Sequence, residues 1–316
     1  SENSGKVFAD WKPTSWVTFR SSGYYSDRTS ENYNYLANVG SIQFPGSTPA
    51  QNSYYYNPSY MQMMIDGRQR TKANIAVDIV VLRGLTITPN FKYQDDHYGL
   101  NPLSQEGLTE SSSWNGGVDV TYVLNPDVAF TVGYLREFYN QQLYGLSSTS
   151  NSAVLGVGGV YSANTNDNST VDTITAAVRV AAIPNKLDFD FRYTQSIAVD
   201  AQRLLLGTAT NGGNPTCPTT MAPTTNCQFP DVTTSFQRLE ASATYKFDQD
   251  LVNRIGLRGE VKARLRYAWE RNAVTNWQND PLAVYSPIVS TQAVWLASSN
   301  PNYNVHLLAL SLAYAW

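Results

Sequence analysis

Charge, cysteine and histidine are all scarce in this sequence. Charged residues make up 15% of the 316 residues, whereas soluble domains contain roughly 25%. The chain has 2 cysteines, 2 histidines and a formal net charge of -3. It has neither a basic patch nor a long run of like charges, so the sequence does not indicate nucleic-acid binding or a charged disordered tail.

Long apolar runs are also missing. No stretch approaches the roughly 18 apolar residues that a membrane-spanning helix requires. This excludes helical spans but leaves a β-barrel open, because a barrel strand presents apolar residues to lipid only at every second position. The chain opens with Ser1-Glu2-Asn3-Ser4, without an initiating Met or a signal peptide. We therefore expect a processed protein or a piece of a longer one.

The common catalytic and ligand-binding motifs do not occur. We find no G-x-S-x-G, no P-loop and no G-x-G-x-x-G. His97 and His306 lie far apart and outside any metal-ligand spacing, which favours polar surface or pore residues. No C-x-x-C-H occurs either, so the chain attaches no c-type haem. We predict no enzymatic activity, no metal site and no cofactor bound covalently by this chain.

What the sequence does contain is strict two-residue alternation. The sequence LDFDFRYT at 187–194 exchanges apolar and polar residues at every step, and segment 255–271 repeats the pattern over a greater length. A period of two places the apolar residues on one face of a β-strand and the charged residues on the other. These segments are therefore predicted to be amphipathic strands.

The length of the alternating runs favours a membrane barrel over a soluble β-sandwich. They reach about ten to fifteen residues, whereas soluble strands usually have about five or six, and a tilted strand of that length crosses a bilayer. Several apolar faces finish in Tyr or Trp, as at Tyr93, Tyr193 and Trp269, which is typical of an aromatic girdle. We predict an all-β fold, a transmembrane antiparallel up-and-down β-barrel, with about 11–12 strands of a larger barrel in this chain.

Short and long connections alternate along the chain. The short ones, such as Leu82-Arg83-Gly84 and Ile183-Pro184-Asn185-Lys186, carry residues that set or tolerate turn dihedrals. Outer-membrane barrels combine tight periplasmic turns with long external loops. We therefore predict a single outer-membrane β-barrel domain over 1–316, its C-terminal portion, in the Gram-negative cell outer membrane. The external loops are predicted at about 27–67, 97–112, 140–167, 198–234 and 272–303.

The last segment carries the most specific local pattern. Large apolar residues alternate with small ones up to the final tryptophan, and edge strands are normally blunted by charge or proline. The pattern resembles the signal that outer-membrane assembly machinery reads, the alternative being an ordinary edge strand. The predicted assembly signal consists of Leu308, Leu310, Leu312, Tyr314 and Trp316.

Cys217 and Cys227 flank a Pro/Thr-rich segment within a predicted external loop. In an oxidising compartment two such cysteines most simply form one disulfide, which would stabilise the loop by about 3 kcal/mol in the chain-entropy model. A two-cysteine metal site is the weaker alternative, because no other soft ligand lies nearby.

The polar faces of the predicted strands carry charges of both signs. Such a wall either lines water or contacts a polar protein inside the barrel, and its positive excess near 258–266 favours an anionic solute or an acidic partner surface. The predicted lumen-facing and partner-contacting residues are Lys92, Asp119, Arg179, Asp188, Asp190, Arg192, Arg238, Glu240, Lys246, Arg258, Glu260, Lys262, Arg264 and Arg266.

Several further stretches form a distinctive set: RTK at 70–72, FKYQDDHYGL at 91–100, LTESSSW at 108–114, GVDVTY at 117–122, LRYAWER at 265–271 with Trp277, and NPNYNVH at 300–306. Together they resemble the C-terminal half of the MtrB/PioB family of outer-membrane barrels. The resemblance is strongest over 68–139 and 235–316. The C-x-x-C found near the start of some family members has no counterpart here.

The resemblance implies a sheath for electron transfer across the outer membrane. In that family the barrel surrounds a periplasmic multihaem cytochrome c and often docks an extracellular multihaem cytochrome, so the haem is carried by the partner cytochromes. The expected partners are these cytochromes and the lipid bilayer, with no nucleic acid. The alternatives are a general diffusion porin for small solutes and, less favoured, a cell-surface β-rich adhesin.

Overall fold

The computed structural model describes residues 1–29, 67–98, 107–148, 160–206, 226–254, 256, 258–277 and 301–315. These residues form one antiparallel sheet and one short helix. The elements are β1 (Glu2–Thr14), β2 (Val17–Arg28), β3 (Arg68–Leu82), β4 (Leu85–Tyr98), β5 (Gly107–Asn125), β6 (Val128–Ser148), β7 (Val160–Ile183), β8 (Leu187–Leu206), β9 (Asn226–Gln228), β10 (Val232–Lys246), α1 (Gln249–Arg254), β11 (Glu260–Thr275) and β12 (Tyr303–Ala315).

The sheet is an up-and-down meander. Each long strand pairs with the next one along the chain, in the order β1-β2-β3-β4-β5-β6-β7-β8-β10-β11-β12, and the three-residue β9 pairs with β8. The described residues thus contain eleven long strands joined by ten antiparallel pairings, which confirms the predicted strand number. Because ten is even, the two edge strands β1 and β12 run in the same direction.

Tight turns join the strands at one end of the sheet. Gly84 adopts φ 85° between β3 and β4, and its carbonyl accepts a hydrogen bond from the Val123 amide at 2.7 Å. An added Cβ on Gly84 would lie 2.3 Å from the Val123 carbonyl oxygen, so only glycine fits this turn. Asn185 adopts φ 60° between β7 and β8, as asparagine tolerates.

The connection between β10 and β11 differs from the prediction. A strand was predicted from residue 255, but Gln249–Arg254 form a helical turn and β11 begins at Glu260. Gly256 and Gly259 adopt φ 80° and 133°, a backbone conformation that is not compatible with a strand ladder. Val252 of the helix is 1% exposed and anchors this connection.

At the opposite end the strands continue into segments predicted to be loops. Residues 107–112, 140–148, 160–167, 198–206, 226–228, 232–234 and 272–275 all lie in strands. Both faces of these extensions carry polar residues, so no apolar alternation marks them in the sequence. Side chains pair across the strands instead: the Asn140 amide donates to the carbonyl oxygens of Asn166 and Asn168, both at 2.7 Å.

The described residues have almost no apolar interior. Leu108, Val252 and Ala268 are the buried apolar side chains among them, whereas Leu308, Leu310 and Leu312 on β12 are more than 70% exposed. A soluble protein would cover such a surface. In the part of the chain that the structure describes, no helix combines the length and apolar character needed to cross a membrane.

Candidate functional site

The pairing register places the predicted charged residues on one face of the sheet. Lys92 lies opposite Asn74 and Asn115 on the neighbouring strands, and Arg192 lies opposite Ala177 and Glu240. Directly opposed residues share a face, and alternate residues of a strand return to it. This face, called the charged face below, holds Lys92, Asp119, Arg179, Asp188, Asp190, Arg192, Arg238, Glu240, Lys246, Glu260, Lys262, Arg264 and Arg266.

Arg258 is the one member of the predicted set that lies outside the strands. The segment that follows α1 turns at Gly256 and Gly259, so Arg258 precedes the first residue of β11. Its carbonyl accepts a hydrogen bond from the Tyr314 hydroxyl at 2.6 Å. The prediction that Arg258 continues the charged face of β11 was therefore wrong.

The opposite face, called the apolar face below, is aromatic and aliphatic. Phe91, Trp114 and Phe138 stack across three strands, with ring centroids 6.4 and 6.0 Å apart, and Trp11 stacks on Phe19 at 5.5 Å. Leu308, Leu310, Leu312 and Tyr314 of the predicted assembly signal share this face, opposite Tyr267, Leu265, Ala263 and Val261. Trp316 lies outside the described residues, and the assembly role stays a prediction.

Ion pairs link β10 and β11 across the charged face. Glu240 accepts hydrogen bonds from Arg266 and, at 2.9 Å, from Arg238. Glu260 forms the same kind of bridge between Lys246, at 2.6 Å, and Lys262. Each carboxylate therefore lies between two cations, an arrangement that requires the antiparallel register.

A second network on β2, β3 and β4 was not among the predicted residues. Arg70 donates two hydrogen bonds to Asp96, at 2.5 and 2.8 Å, and Asp96 is 2% exposed. Arg20 makes a bidentate contact with Asp78 at 2.7 and 2.6 Å. The sequence signal for both pairs was available, because all four residues hold the alternate positions that place them on the charged face.

The charged face also carries a broad depression at β4 to β7. Lys92, Asn115, Asp119 and Glu137 contribute to its lining, and its volume is about 530 Å³. An added Cβ on Gly133 of β6 would lie 2.6 Å from an Asp119 carboxylate oxygen. The glycine therefore lets the Asp119 side chain lie against the neighbouring strand.

The histidines do not join the charged face. His97 and His306 occupy the alternate positions that belong to the apolar face, where His97 contacts Asp95 at 2.9 Å and His306 contacts the Tyr267 hydroxyl at 2.9 Å. Cys217 lies outside the described residues, and the backbone of Cys227 is part of β9. The predicted disulfide thus stays a prediction.

One carboxylate at the tight-turn end, that of Asp248, is engaged by a cation. The Lys186 ammonium donates to Asp248 at 2.5 Å, and this hydrogen bond raises the pKa of Lys186 above its ordinary value. No group of three or more His, Cys, Asp or Glu side chains within the described ranges could hold a metal ion.

A single meandering sheet with one apolar and one charged face, long strands and short turns at one end defines a transmembrane β-barrel protein. The family model of the outer membrane beta-barrel porin MtrB/PioB matches residues 1–316. The chain belongs to this family and resides in the Gram-negative outer membrane. Porins form a non-enzymatic class of protein.

Solved structures share the fold alone. The pyoverdine receptor FpvA of Pseudomonas aeruginosa, 8% identical, aligns over 100% of this chain and 38% of its own length with a TM-score of 0.50. BauA, the ferric preacinetobactin receptor of Acinetobacter baumannii, is 9% identical over 99% of this chain and 42% of its own, with a TM-score of 0.49. The chain thus spans less than half the length of either receptor. A comparison with curated proteins gives no match.

Proposed function

We propose that this chain forms part of an outer-membrane sheath around a periplasmic multihaem c-type cytochrome, which conducts electrons across the membrane. The charged face is the inner wall, and the apolar face contacts lipid. The observation that supports this most directly is the charge distribution: cations and anions share one face of the sheet from β1 to β11. Membership of the MtrB/PioB family also supports the proposal of a sheath.

Mixed charges on the inner wall suit a protein occupant. A protein surface with carboxylates, ammonium groups and amides can pair with both signs at once, which fixes its orientation inside the barrel. The depression lined by Lys92, Asp119 and Glu137 offers one cation and two anions at a single place. An open water channel does not require such local complementarity, so the arrangement favours an occupied barrel over a diffusion porin.

In this proposal the haem groups belong to the partner. The chain has no C-x-x-C-H sequence, so it does not attach haem covalently, and it catalyses no reaction. Its role is to hold the haems in register and to separate them from lipid. In this orientation the end of the sheet opposite the tight turns faces outwards, and an extracellular multihaem cytochrome docks there.

The test is a visible absorption spectrum of the full-length protein purified in mild detergent from its native host. We expect a strong haem Soret band and a multihaem polypeptide that co-elutes in size-exclusion chromatography. A colourless barrel that conducts ions in a planar bilayer would contradict the proposal and would identify a diffusion porin instead.

A pair of variants locates the contact. Lys92→Glu reverses a charge on the charged face, and Arg271→Glu makes the same change at a position on the apolar face. We expect Lys92→Glu to lower the haem-to-barrel ratio and Arg271→Glu to leave it unchanged. Equal loss of haem in both variants would place the cytochrome elsewhere.

A further inference from the structure

An arginine-lined depression crosses the charged face from β6 to β11. Its volume is about 570 Å³, and its lining includes Ala129, Ala177, Arg179, Arg192 and Arg264. The register explains its shape, because Ala129 lies opposite Arg179 and Ala177 lies opposite Arg192. The two alanines leave room beside the long arginine side chains, so the guanidinium groups border an open space.

The charges in this depression do not balance. Glu240 is engaged by Arg266 and Arg238, and Arg264 donates to the Ser242 hydroxyl at 3.2 Å. Within the described ranges, Arg179, Arg192 and Arg264 make no ion pair within 4.0 Å. All three side chains are exposed.

Asp190 does not restore the balance. It lies directly opposite Arg179 in the register, yet the two form no ion pair within the described ranges either. Three guanidinium groups and one carboxylate thus leave a local excess of two positive charges.

We propose that Arg179, Arg192 and Arg264 bind carboxylates on the surface of the protein that occupies the barrel. The inference rests on the proposed function and adds the chemistry by which the occupant is recognised. A guanidinium presents a planar pair of N–H donors that matches a carboxylate bidentately, which an ammonium group does not. Unpaired and exposed guanidinium groups can form these bonds without breaking an existing ion pair.

The spacing favours a protein surface over a small anion. Arg179, Arg192 and Arg264 lie on β7, β8 and β11, and β7 and β11 are three strand spacings apart in the sheet order. At about 4.8 Å per spacing the backbones of the two outer arginines are roughly 14 Å apart across the strands. A single carboxylate pairs bidentately with one guanidinium, whereas separate acidic side chains of one protein surface can pair with each of the three.

The experiment compares two triple variants of the full-length barrel in complex with its haem-containing partner. Arg179→Gln/Arg192→Gln/Arg264→Gln removes the arginines, and a control with Arg136→Gln/Arg203→Gln/Arg271→Gln removes equal charge from the apolar face. We expect the first variant, the arginine variant, to bind the partner roughly tenfold more weakly at low salt and with a smaller salt dependence, and the control to bind within about twofold of the wild type. Equal weakening in both variants would overturn the proposal.

Two further measurements distinguish recognition of a protein occupant from a folding defect and from the binding of free carboxylates. The Arg→Lys version of the arginine triple keeps the charge, so partial recovery of binding supports recognition by charge and excludes a folding defect. Citrate is then added to the empty barrel in a planar bilayer. If the wild type retains no haem partner, the proposed function fails. If citrate then blocks the conductance of the wild type and this block is lost in the arginine variant, the site binds free carboxylates and the protein occupant is overturned. If the wild type retains no haem partner and citrate also leaves both conductances unchanged, carboxylate binding itself is overturned.

Discussion

The assignment of the two faces can be tested by moving one arginine from one face to the other. Val132 on β6 lies on the apolar face, opposite Val120 and Ala176, and is 52% exposed. Thr175 on β7 lies on the charged face, opposite Gly133. It is adjacent to Ala176, the partner of Val132, so the two positions lie at nearly the same depth in the membrane. The matched substitutions are therefore Val132→Arg and Thr175→Arg.

The expected magnitude follows from depth. Val132 is the fifth residue of β6, which begins at Val128 after the tight turn. Four steps of about 3.3 Å along a strand tilted by about 40° place it about 10 Å above the turn, near the middle of an apolar band about 25 Å tall. An arginine at the middle of the lipid face costs about 2–4 kcal/mol, which corresponds to roughly a 30- to 1,000-fold change in the folding equilibrium.

The assay is a guanidinium chloride titration of the full-length protein folded in lipid vesicles, followed by tryptophan fluorescence. Val132→Arg is expected to lower the free energy of unfolding by about 2–4 kcal/mol. Thr175→Arg is expected to cost less than about 1 kcal/mol, because its guanidinium enters the polar interior beside Asp119. Equal costs, or a larger cost for Thr175→Arg, would refute the assignment of the faces.

Two further predictions concern the ion pairs. Asp96→Asn should destabilise the protein by about 2 kcal/mol in the same titration, because it leaves the half-buried Arg70 guanidinium without its carboxylate. Arg20→Gln, at the exposed pair with Asp78, should cost less than about 1 kcal/mol. Similar losses of stability in the two variants would show that the burial of Asp96 is not decisive. The pKa of Lys186 is raised by its hydrogen bond to Asp248 above the ordinary 10.5, so the stability that this pair contributes should be complete below pH 10.5 and disappear as the pH rises through the raised pKa. The difference in unfolding midpoint between wild type and Lys186→Gln should vanish at high pH, and a difference that persists there would contradict the role of the ammonium charge.

The sequence predicted the strands wherever one face is apolar. At 187–194 every second residue is large and apolar, so the segment can satisfy both lipid and polar surroundings only as a strand. Outside the apolar band this constraint disappears, and the extension of β6 and β7 past Asn140 is held by amide pairs such as Asn140 with Asn166. Such pairs leave no periodic trace in the sequence.

The charged face was predicted as a set of residues, but its pairs were not. Alternation alone gives the face, whereas the partner of Arg70 depends on the register between β3 and β4, which places it opposite Asp96, 26 residues away. Arg258 shows the opposite error. Its position fits the alternation of β11, but the φ angles of Gly256 and Gly259 interrupt the strand before it begins.

The common direction of β1 and β12 has a consequence for barrel closure. Direct contact between these edges would form a parallel ladder, so a barrel that keeps every pairing antiparallel requires an odd number of additional strands between them, whichever polypeptide supplies them. Lipid offers no partners for the backbone donors and acceptors along either edge. The eleven strands described here therefore become stable in a bilayer only when the full circumference is complete, and it is at that step that the interior separates from the lipid.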